Sequence, residues 1–246
     1  MATHISRHFH ASGLRIDAIW SRSAERAEKL AKELGCGWSI DPARLPQNSS
    51  FYLMAVSDNA VGELAGKFRG RKGIWIHCAG ALDLDVLGVF KRYGVLYPLQ
   101  TITRERELTL KEVPFLIEGG DRETLEEIRE LALLLSDRVE EMDSRGRLVL
   151  HLAAVFANNF SNHMMRIAQE ILHDKNIDFT LLEPLLRETF MKAIELGPQK
   201  SQTGPAARGD RIAMEKHLEL LKGYPEWEKM YTFMSQEIQK SRNDEF

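Results

Sequence analysis

A stripe of polar side chains on one long helix is the part of this sequence whose residue types and spacing best suit chemistry. The segment Ser144 to Lys175 is predicted to form one helix of about 30 residues, far longer than the usual three to four turns. At about 100° per residue, His151, Asn158 and Asn162 fall on one face of that helix. An imidazole can act as a general acid near neutral pH, and carboxamides orient a substrate without titrating. The stripe therefore predicts a catalytic surface, although a buried polar network or a dimer interface would show the same pattern.

The part of the chain before this helix alternates short β-rich runs with helical stretches, as α/β proteins do. Several runs are apolar on consecutive positions, which is typical of strands covered on both faces. This combination predicts a doubly wound, Rossmann-like parallel sheet with right-handed crossovers. The predicted strands are LRIDAIW (14–20), CGWSI (36–40), FYLMAVS (51–57), GIWIHCAG (73–80), GVLYPL (94–99), PFLIEG (114–119) and RVEEM (138–142).

The pattern changes near residue 143. After Asp143 the strand signals stop, and only helices are predicted from there to the end of the sequence. No Gly-, Ser- or Pro-rich linker separates the two parts. We therefore expect an α/β domain of residues 1–143 and an all-α domain of residues 144–246.

Bulk composition excludes several classes of protein without choosing among the rest. Hydrophobic residues make up 43% of the chain and charged residues 28%, which is the profile of a folded globular protein. A net charge of −3 gives no electrostatic reason to expect nucleic acid or an anionic membrane as a partner. The two cysteines, Cys36 and Cys78, lack metal-ligand spacing and are too few for a disulfide framework. We therefore expect a cytoplasmic protein with no metal site.

Polar and small residues follow several predicted strands at the point where each strand ends. Ligands of open α/β sheets bind beyond the carboxyl ends of the strands, so these positions predict the edge of a cofactor and substrate site. Asp58 would serve as well as an ordinary helix cap, and His77 as a satisfied histidine inside the sheet. The residues concerned are Ser57, Asp58, His77, Ala79, Gly80 and Gln100.

The tip of the strand LRIDAIW carries Ser21, Arg22 and Ser23, with no carboxylate among them. Dinucleotide folds place an acidic residue at the end of the second strand for NAD and a basic residue nearby for NADP. Arg22 suits a 2′-phosphate, with the two serine hydroxyls as further donors. The alternative is a solvated arginine beside Ser23 acting as the N-cap of the next helix.

The sequence opens on what is predicted to be the first crossover helix of such a sheet, without the strand and glycine-rich turn that normally feed it. Of the fingerprint G-x-G-x-x-G/A only the last position is present, as Ala2, followed by Thr3. Without that first strand, the strands on either side of it lack a pairing partner at one edge. We therefore expect Met1 to be an internal methionine, with the missing strand and glycines upstream of it.

A second polar cluster, SQTGPAARGD (201–210), lies between predicted helices of the C-terminal part. Gly204 and Pro205 predict a turn, and Asp210 suits the N-cap of the following helix. Arg208 is the cation of this loop that suits a substrate carboxylate, and Thr203 lies in the same loop. Ordinary loop structure is the alternative.

Six segments carry a resemblance that covers essentially the whole chain. They are ATHISRHFHASGLRIDAIWSRS, AVSDNAV, HCAGALDLDVL, YGVLYPLQT, LHLAAVFANNFSNHM and QTGPAARGD. In this order they closely resemble a family of NADP oxidoreductases with a Rossmann-like N-terminal domain and a helical C-terminal domain of unknown function. The family is related to deazaflavin-dependent NADP oxidoreductases, pyrroline-5-carboxylate reductases and β-hydroxyacid dehydrogenases. Members often read HTSG where this chain has HCAG, so a serine hydroxyl is absent at Ala79.

The resemblance implies NADP as the cofactor, a small-molecule substrate in a cleft between the domains, and a homodimer formed through the helical domain. By relation it implies that His151 donates a proton while Asn158 and Asn162 hold the substrate. We assign Gln100, Thr203 and Arg208 to the substrate as well. The missing glycine turn and Ala79 favour an alternative, a non-catalytic dimeric binding or regulatory protein that has kept the fold and lost the cofactor.

Overall fold

The computed structural model describes residues 1–103, 106 and 108–243. The chain divides into two compact units, Met1–Ala157 and Asn158–Phe246, called the first and second unit below. Asp143, the last residue of the predicted α/β domain, is the N-cap residue of the first helix after the sheet. Within the described ranges, no helix is long and apolar enough to cross a membrane.

The first unit contains all seven predicted strands, interleaved with helices. The elements are α1 (Ala2–Ala11), β1 (Ala18–Trp20), α2 (Ala24–Leu34), β2 (Gly37–Ser39), β3 (Phe51–Met54), α3 (Asp58–Lys67), β4 (Ile74–His77), β5 (Tyr93–Pro98), β6 (Phe115–Gly119), α4 (Arg122–Leu133), β7 (Val139–Glu141) and α5 (Ser144–Ala154). Short 3₁₀ turns lie at Pro42–Arg44 and Leu84–Leu87.

The strands form two sheets. Strands β1 and β2 pair in parallel, and a separate five-stranded sheet has the order β3-β4-β5-β6-β7. The predicted α/β fold is confirmed, with one pairing that differs from the expected all-parallel sheet, because β5 and β6 are antiparallel. Parallel neighbours need a crossover, usually a helix, and no helix lies in the described residues between Pro98 and Phe115. Helix α4 does connect β6 to β7, and those two strands are parallel.

The facing edges of β1 and β3 have no strand partner among the described residues. Just before these strands, the Ser49 hydroxyl donates a hydrogen bond of 2.7 Å to the Asp17 carboxylate. In the six-stranded Rossmann order the first strand lies between the two strands that correspond to β1 and β3. Among the described residues the two sheets are therefore separate in their main-chain hydrogen bonds, and a side-chain bond links the segments that lead into them.

Apolar clusters cover both faces of the five-stranded sheet. On one face, Ile5 and Phe9 of α1 and Ile128 of α4 pack against strand residues such as Ile76. On the other, Trp75 is stacked between Tyr52 and Phe90, with both pairs of ring centroids 4.2 Å apart. Helices on both faces leave the loops at the strand ends as the accessible part of the sheet.

The second unit is helical. It begins inside a π-helix, Val155–Phe160, which continues α5, and goes on with α6 (Ser161–His173), a 3₁₀ turn (Phe179–Leu182), α7 (Glu183–Leu196), α8 (Pro198–Ser201), α9 (Pro205–Arg208), α10 (Arg211–Leu220) and α11 (Pro225–Asn243). The predicted long helix is thus present from Ser144 to His173.

Many large apolar side chains of the second unit are exposed. Ile194 is 78% exposed, Leu181 71% and Leu220 70%, whereas Ile167 and Leu221 are among the few buried apolar residues of this unit. Exposed apolar surface of this extent is unusual for a protein that works as a monomer.

Gly94 tests the packing of the central sheet. A Cβ atom there would lie 2.2 Å from Cδ1 of Ile128 and 2.4 Å from the Glu118 carbonyl oxygen. Since the carbonyl belongs to the neighbouring strand, Gly94→Ala should lower the free energy of unfolding by about 2 kcal/mol or more. Urea unfolding followed by tryptophan fluorescence measures this loss.

Gly66→Ala is the matched control, because a Cβ at Gly66 of α3 would meet nothing within 4 Å. Alanine favours the helix more than glycine does, so this variant should gain up to about 1 kcal/mol. Equal stability of the two variants would contradict the packing described for β5.

Candidate functional site

The carboxyl ends of β4 and β5 place several chemically useful residues at one edge of the sheet. These strands are parallel neighbours, β4 ending at His77 and β5 at Pro98. Gly80 follows β4 by three residues, Tyr97 is the penultimate residue of β5, and α5 brings His151 to the same place. Ligands of open α/β sheets bind at this edge.

A hydrogen-bonded pair of Tyr97 and His151 is the centre of the site. The Tyr97 hydroxyl oxygen lies 3.1 Å from Nδ1 of His151, and the two rings meet edge to face at 6.0 Å. Tyr97 is buried, whereas His151 is half-buried. Burial raises the pKa of Tyr97, the Asp58 carboxylate raises it further, and Arg147 opposes both. The phenol therefore keeps its proton at neutral pH, with an imidazole in position to exchange it.

Gly80 lets the main chain after β4 approach this pair. A Cβ atom at Gly80 would lie 2.7 Å from Nδ1 of His151 and 2.8 Å from Cζ of Tyr97. Any larger residue would push the ring atoms apart. The structure thus brings together two predicted site residues, Gly80 and His151. It adds Tyr97, which was not predicted to belong to the site. The signal that was available for Tyr97 is its place in the polar strand tip YPLQT.

His77 is fully buried at the end of β4. Its Nδ1 accepts a hydrogen bond of 3.2 Å from the main-chain N–H of Ala79, itself buried, and Nε2 has no hydrogen-bond partner within the described part of the chain. Burial and the Arg147 cation lower the pKa of His77 to about 4, while the main chain and carboxylate of Asp83 oppose that shift. His77 is therefore neutral at physiological pH.

Ser57 and Asp58 begin α3, next to the end of β3. Ser57 is the N-cap residue but makes no side-chain capping bond, and Asp58 is the first helical residue. Both side chains are exposed. The Asp58 carboxylate is close enough to raise the pKa of Tyr97, so this helix start belongs to the electrostatic surroundings of the pair.

Ser21, Arg22 and Ser23 lie directly after β1, as predicted. The Ser23 hydroxyl accepts from the N–H of Arg26 and caps α2, and the Ser21 hydroxyl accepts from the N–H of Ser23. Both hydroxyl groups therefore still have a hydrogen to donate. Arg22 is exposed and makes no hydrogen bond or salt bridge with another residue of the described chain.

Ala2 and Thr3 form the first turn of α1, whose N-cap residue Met1 makes no side-chain capping bond. The main-chain N–H groups of His4 and Ile5 are occupied by the Met1 carbonyl. The first two N–H groups of a helix have no partner inside it and point along its axis, where they suit an anion.

Asn158 lies in the π-helix Val155–Phe160 and Asn162 in the first turn of α6, and both side chains are exposed. A π-helix has more residues per turn than an α-helix, so the prediction of one face from about 100° per residue does not hold through this segment. π-helical turns occur frequently at functional sites.

The three residues assigned to the substrate lie at different points of the fold: Gln100 follows β5, Thr203 lies between α8 and α9, and Arg208 is the last residue of α9. The Gln100 side-chain oxygen accepts from the N–H of Thr101, and the Thr203 carbonyl accepts from the side chain of Gln202. Arg208 ends α9 and is exposed. Asp210 caps α10 through the N–H of Ala213, as the sequence predicts.

Comparisons with known proteins match the chain to one family and to several solved structures. Residues 113–238 match a family described as a domain of unknown function, DUF2520. A Bacteroides fragilis protein named as a candidate NADP oxidoreductase is 36% identical, with a TM-score of 0.92 over 97% of this chain and 94% of its own. A comparison with curated protein sequences finds no match.

Two more distant structures share the fold. A Thermotoga maritima protein is 21% identical, with a TM-score of 0.72 over 99% of this chain and 97% of its own. An imine reductase from Myxococcus stipitatus, solved with NADP⁺, is 14% identical, with a TM-score of 0.68 over 99% of this chain and 91% of its own. At these identities the likeness extends to the fold alone.

The buried neutral His77 makes the stability of the first unit sensitive to acid. Its pKa is about 4 in the folded chain and about 6.5 in the unfolded chain, so the unfolded state takes up the proton first as the pH falls. Between pH 7 and pH 5 this difference should lower the free energy of unfolding by about 2 kcal/mol. His77→Asn keeps an acceptor for the Ala79 N–H and does not titrate, so that share of the loss should disappear.

Urea unfolding at the two pH values measures the effect. His173→Gln, a change at an exposed histidine, should leave the pH dependence as it is in the unmodified chain. An identical pH dependence in His77→Asn and the unmodified chain would show that His77 is not held neutral by burial.

Proposed function

This chain belongs to the family defined by the domain of unknown function DUF2520, and we propose that it is an oxidoreductase that uses NADP(H) to transfer a hydride to or from a small substrate. The observation that carries the proposal is the Tyr97–His151 pair, packed against Gly80 at the carboxyl edge of the sheet. The name of the 36% identical Bacteroides fragilis protein supports the same activity.

Tyr97 and His151 would move the proton that accompanies the hydride. When NADPH is bound, it supplies the hydride, which adds to the carbon of a C=O or C=N bond. Tyr97 gives its hydroxyl proton to the oxygen or nitrogen, and Nδ1 of His151 returns a proton to the Tyr97 oxygen. His151 is half-buried, so it recovers its own proton from solvent. In the oxidation direction each transfer runs in reverse.

The residues after β1 fit the phosphorylated ribose of NADP(H). The Arg22 guanidinium makes no hydrogen bond or salt bridge within the described chain, although its charge acts on Glu63, and Ser21 and Ser23 each keep a hydroxyl hydrogen for a phosphate oxygen. No carboxylate stands among them to repel a phosphate. The main-chain N–H groups of Ala2 and Thr3, in the first turn of α1, suit the pyrophosphate.

The loops after β3 and β4 would border the nicotinamide. The residues assigned to this border are Ser57, Asp58, Ala79, Gly80 and His77. The buried His77 holds the Ala79 main chain by accepting a hydrogen bond from its N–H. On the substrate side we assign the carboxamides of Asn158 and Asn162 together with Gln100, Thr203 and Arg208. Arg208 would bind a carboxylate.

The exposed apolar side chains of the second unit support a homodimer. Leu181, Ile194, Ile212 and Leu220 are each about 70% exposed or more. Packing of such surface against a second copy of the chain would remove it from water, which favours association. Cys36 and Cys78 are free thiols, which suits a cytoplasmic location.

Cofactor preference tests the role of Arg22. The unmodified chain should bind NADPH more tightly than NADH, and Arg22→Glu should remove that preference by weakening NADPH binding about 10- to 100-fold. The cause is a carboxylate placed beside the 2′-phosphate. Quenching of tryptophan fluorescence on titration measures both affinities.

Arg26→Glu makes the same change of charge one turn along α2, at another exposed arginine, and should preserve the preference. Equal affinities for NADPH and NADH in the unmodified chain would reject the assignment of Arg22. Failure of both nucleotides to bind would favour the non-catalytic binding protein.

Turnover tests the proton donors. Tyr97→Phe removes only the hydroxyl and should slow reduction about 10²- to 10⁴-fold, and His151→Ala should do so within the same range. The rate is measured as the loss of NADPH absorbance with a panel of small imines and carbonyl compounds. Tyr93→Phe changes the tyrosine at the opposite end of β5 and should keep the full rate. Full activity in Tyr97→Phe would exclude that hydroxyl from the reaction.

A further inference from the structure

Arg147, on α5, is a buried charged side chain for which the proposed reaction assigns no role. Its side chain is 0% exposed, and its Nε has no hydrogen-bond partner in the described structure. Burial of a guanidinium costs several kcal/mol unless partners compensate it. The partners of the buried guanidinium must therefore compensate this cost.

The partners of Arg147 come from two other elements. One Nη donates to the Glu118 carboxylate of β6 at 2.5 Å, and the other donates to the Leu82 carbonyl after β4 at 2.6 Å. Ser144, in the first turn of α5, joins them: its N–H and hydroxyl donate to Glu118 at 3.0 and 2.8 Å, and its oxygen accepts from the Leu84 N–H at 2.9 Å. We call Glu118, Ser144 and Arg147 the clamp.

The clamp and the Tyr97–His151 pair share helix α5. Arg147 precedes His151 by four residues, one turn of α5, so the two side chains share a face of the helix. Leu82 follows Gly80 by two residues. The clamp therefore connects α5 to the loop after β4. These two segments meet where Gly80 packs against His151, and that contact leaves no room for a Cβ atom at Gly80.

We propose that Arg147 is a positioning residue, which holds the Gly80 loop against α5 and supplies a buried positive charge that favours the anionic form of Tyr97 after this residue has given up its proton. The inference rests on the proposed roles of Tyr97 and His151. It adds to those roles the positive charge that stabilises the Tyr97 anion and the contacts that fix the Gly80 loop against α5.

The charges around Tyr97 support this assignment. Asp58 at the start of α3 raises the pKa of Tyr97, as burial does, and Arg147 is the cation that lowers it. The same cation contributes to the low pKa of His77 on the neighbouring strand, after the larger effect of burial. His151 is the remaining titratable group in contact with Tyr97. If Arg147 served only to attach α5 to the sheet, its charge would not need to act on both His77 of β4 and Tyr97 of β5.

Titration of Tyr97 itself tests the proposal without cofactor or substrate. The full chain is labelled with 3-fluorotyrosine, whose more acidic phenol brings the titration into a milder pH range, and is followed by fluorine NMR. The chain has five tyrosines, and Tyr97→Phe identifies the signal. The test variant is Glu118→Gln with Arg147→Met, which removes both charges of the pair together and is expected to fold.

In the double variant the Tyr97 signal should titrate about one pH unit higher than in the unmodified chain, because the cation is gone. In Glu118→Gln alone it should titrate lower, because Arg147 then lacks its balancing carboxylate. Arg147→Lys keeps the charge but loses the forked contact, so Tyr97 should titrate near the unmodified value while turnover falls. The Tyr224 and Tyr231 signals, from the second unit, are internal controls.

An unchanged Tyr97 titration in both the double variant and Glu118→Gln would overturn the proposal, and either variant alone carries the test if the other fails to fold. This result is independent of the proposed function. Full turnover in Tyr97→Phe would contradict the proposed role of Tyr97 in the reaction but would not affect the measured influence of Arg147 on Tyr97. An unchanged titration together with a large loss of turnover in Tyr97→Phe would contradict the role of Arg147 and support that of Tyr97.

Discussion

The buried ion pair between Glu118 and Arg147 decides how the helix after the sheet meets the sheet edge. Arg147 has no exposed surface and Glu118 only 16%, so the two charges depend on each other and on Ser144 and Leu82 for compensation. A buried pair adds little stability by comparison with well-packed apolar residues, but it tolerates few alternative arrangements. In this chain the pair joins β6, the loop after β4 and α5, and the site lies at that junction.

The electrostatics of the site follow from the same arrangement. One buried cation, Arg147, acts on two aromatic groups near the ends of β4 and β5: it adds to the larger effect of burial in lowering the pKa of His77, and it opposes the effect of burial on the pKa of Tyr97. His151, one turn further along α5, connects the buried phenol to the half-exposed side of the helix. The proposed proton donor, Tyr97, and its hydrogen-bond partner His151 thus lie on one strand and one helix of the first unit.

The strands of the first unit are divided between two sheets, and the ion pair does not link them. A doubly wound fold is held together through its central strands, and here β1 and β3 each pair on one side only among the residues described. Side chains compensate in part. Trp20 of β1 packs with the cluster around Trp75, Ile16 packs with the cluster on the opposite face, and Ser49 bonds to Asp17. These contacts keep the strands close while leaving their main-chain edges without strand partners.

The sequence by itself determined the strands, the long helix and two helix caps, but not the cap of α3, which is Ser57 and not Asp58. All seven strands, the long helix after residue 143 and the cap residues Ser23 and Asp210 were predictable, because apolar periodicity and capping act over a few neighbouring residues. Only the tertiary structure decided that β6 runs antiparallel to β5 and that Tyr97 joins the site. The two partners of the central hydrogen bond lie 54 residues apart, and Arg147 lies 65 residues from Leu82. Such contacts depend on strand order and on one helix crossing a sheet edge, and no local pattern of residues carries that information.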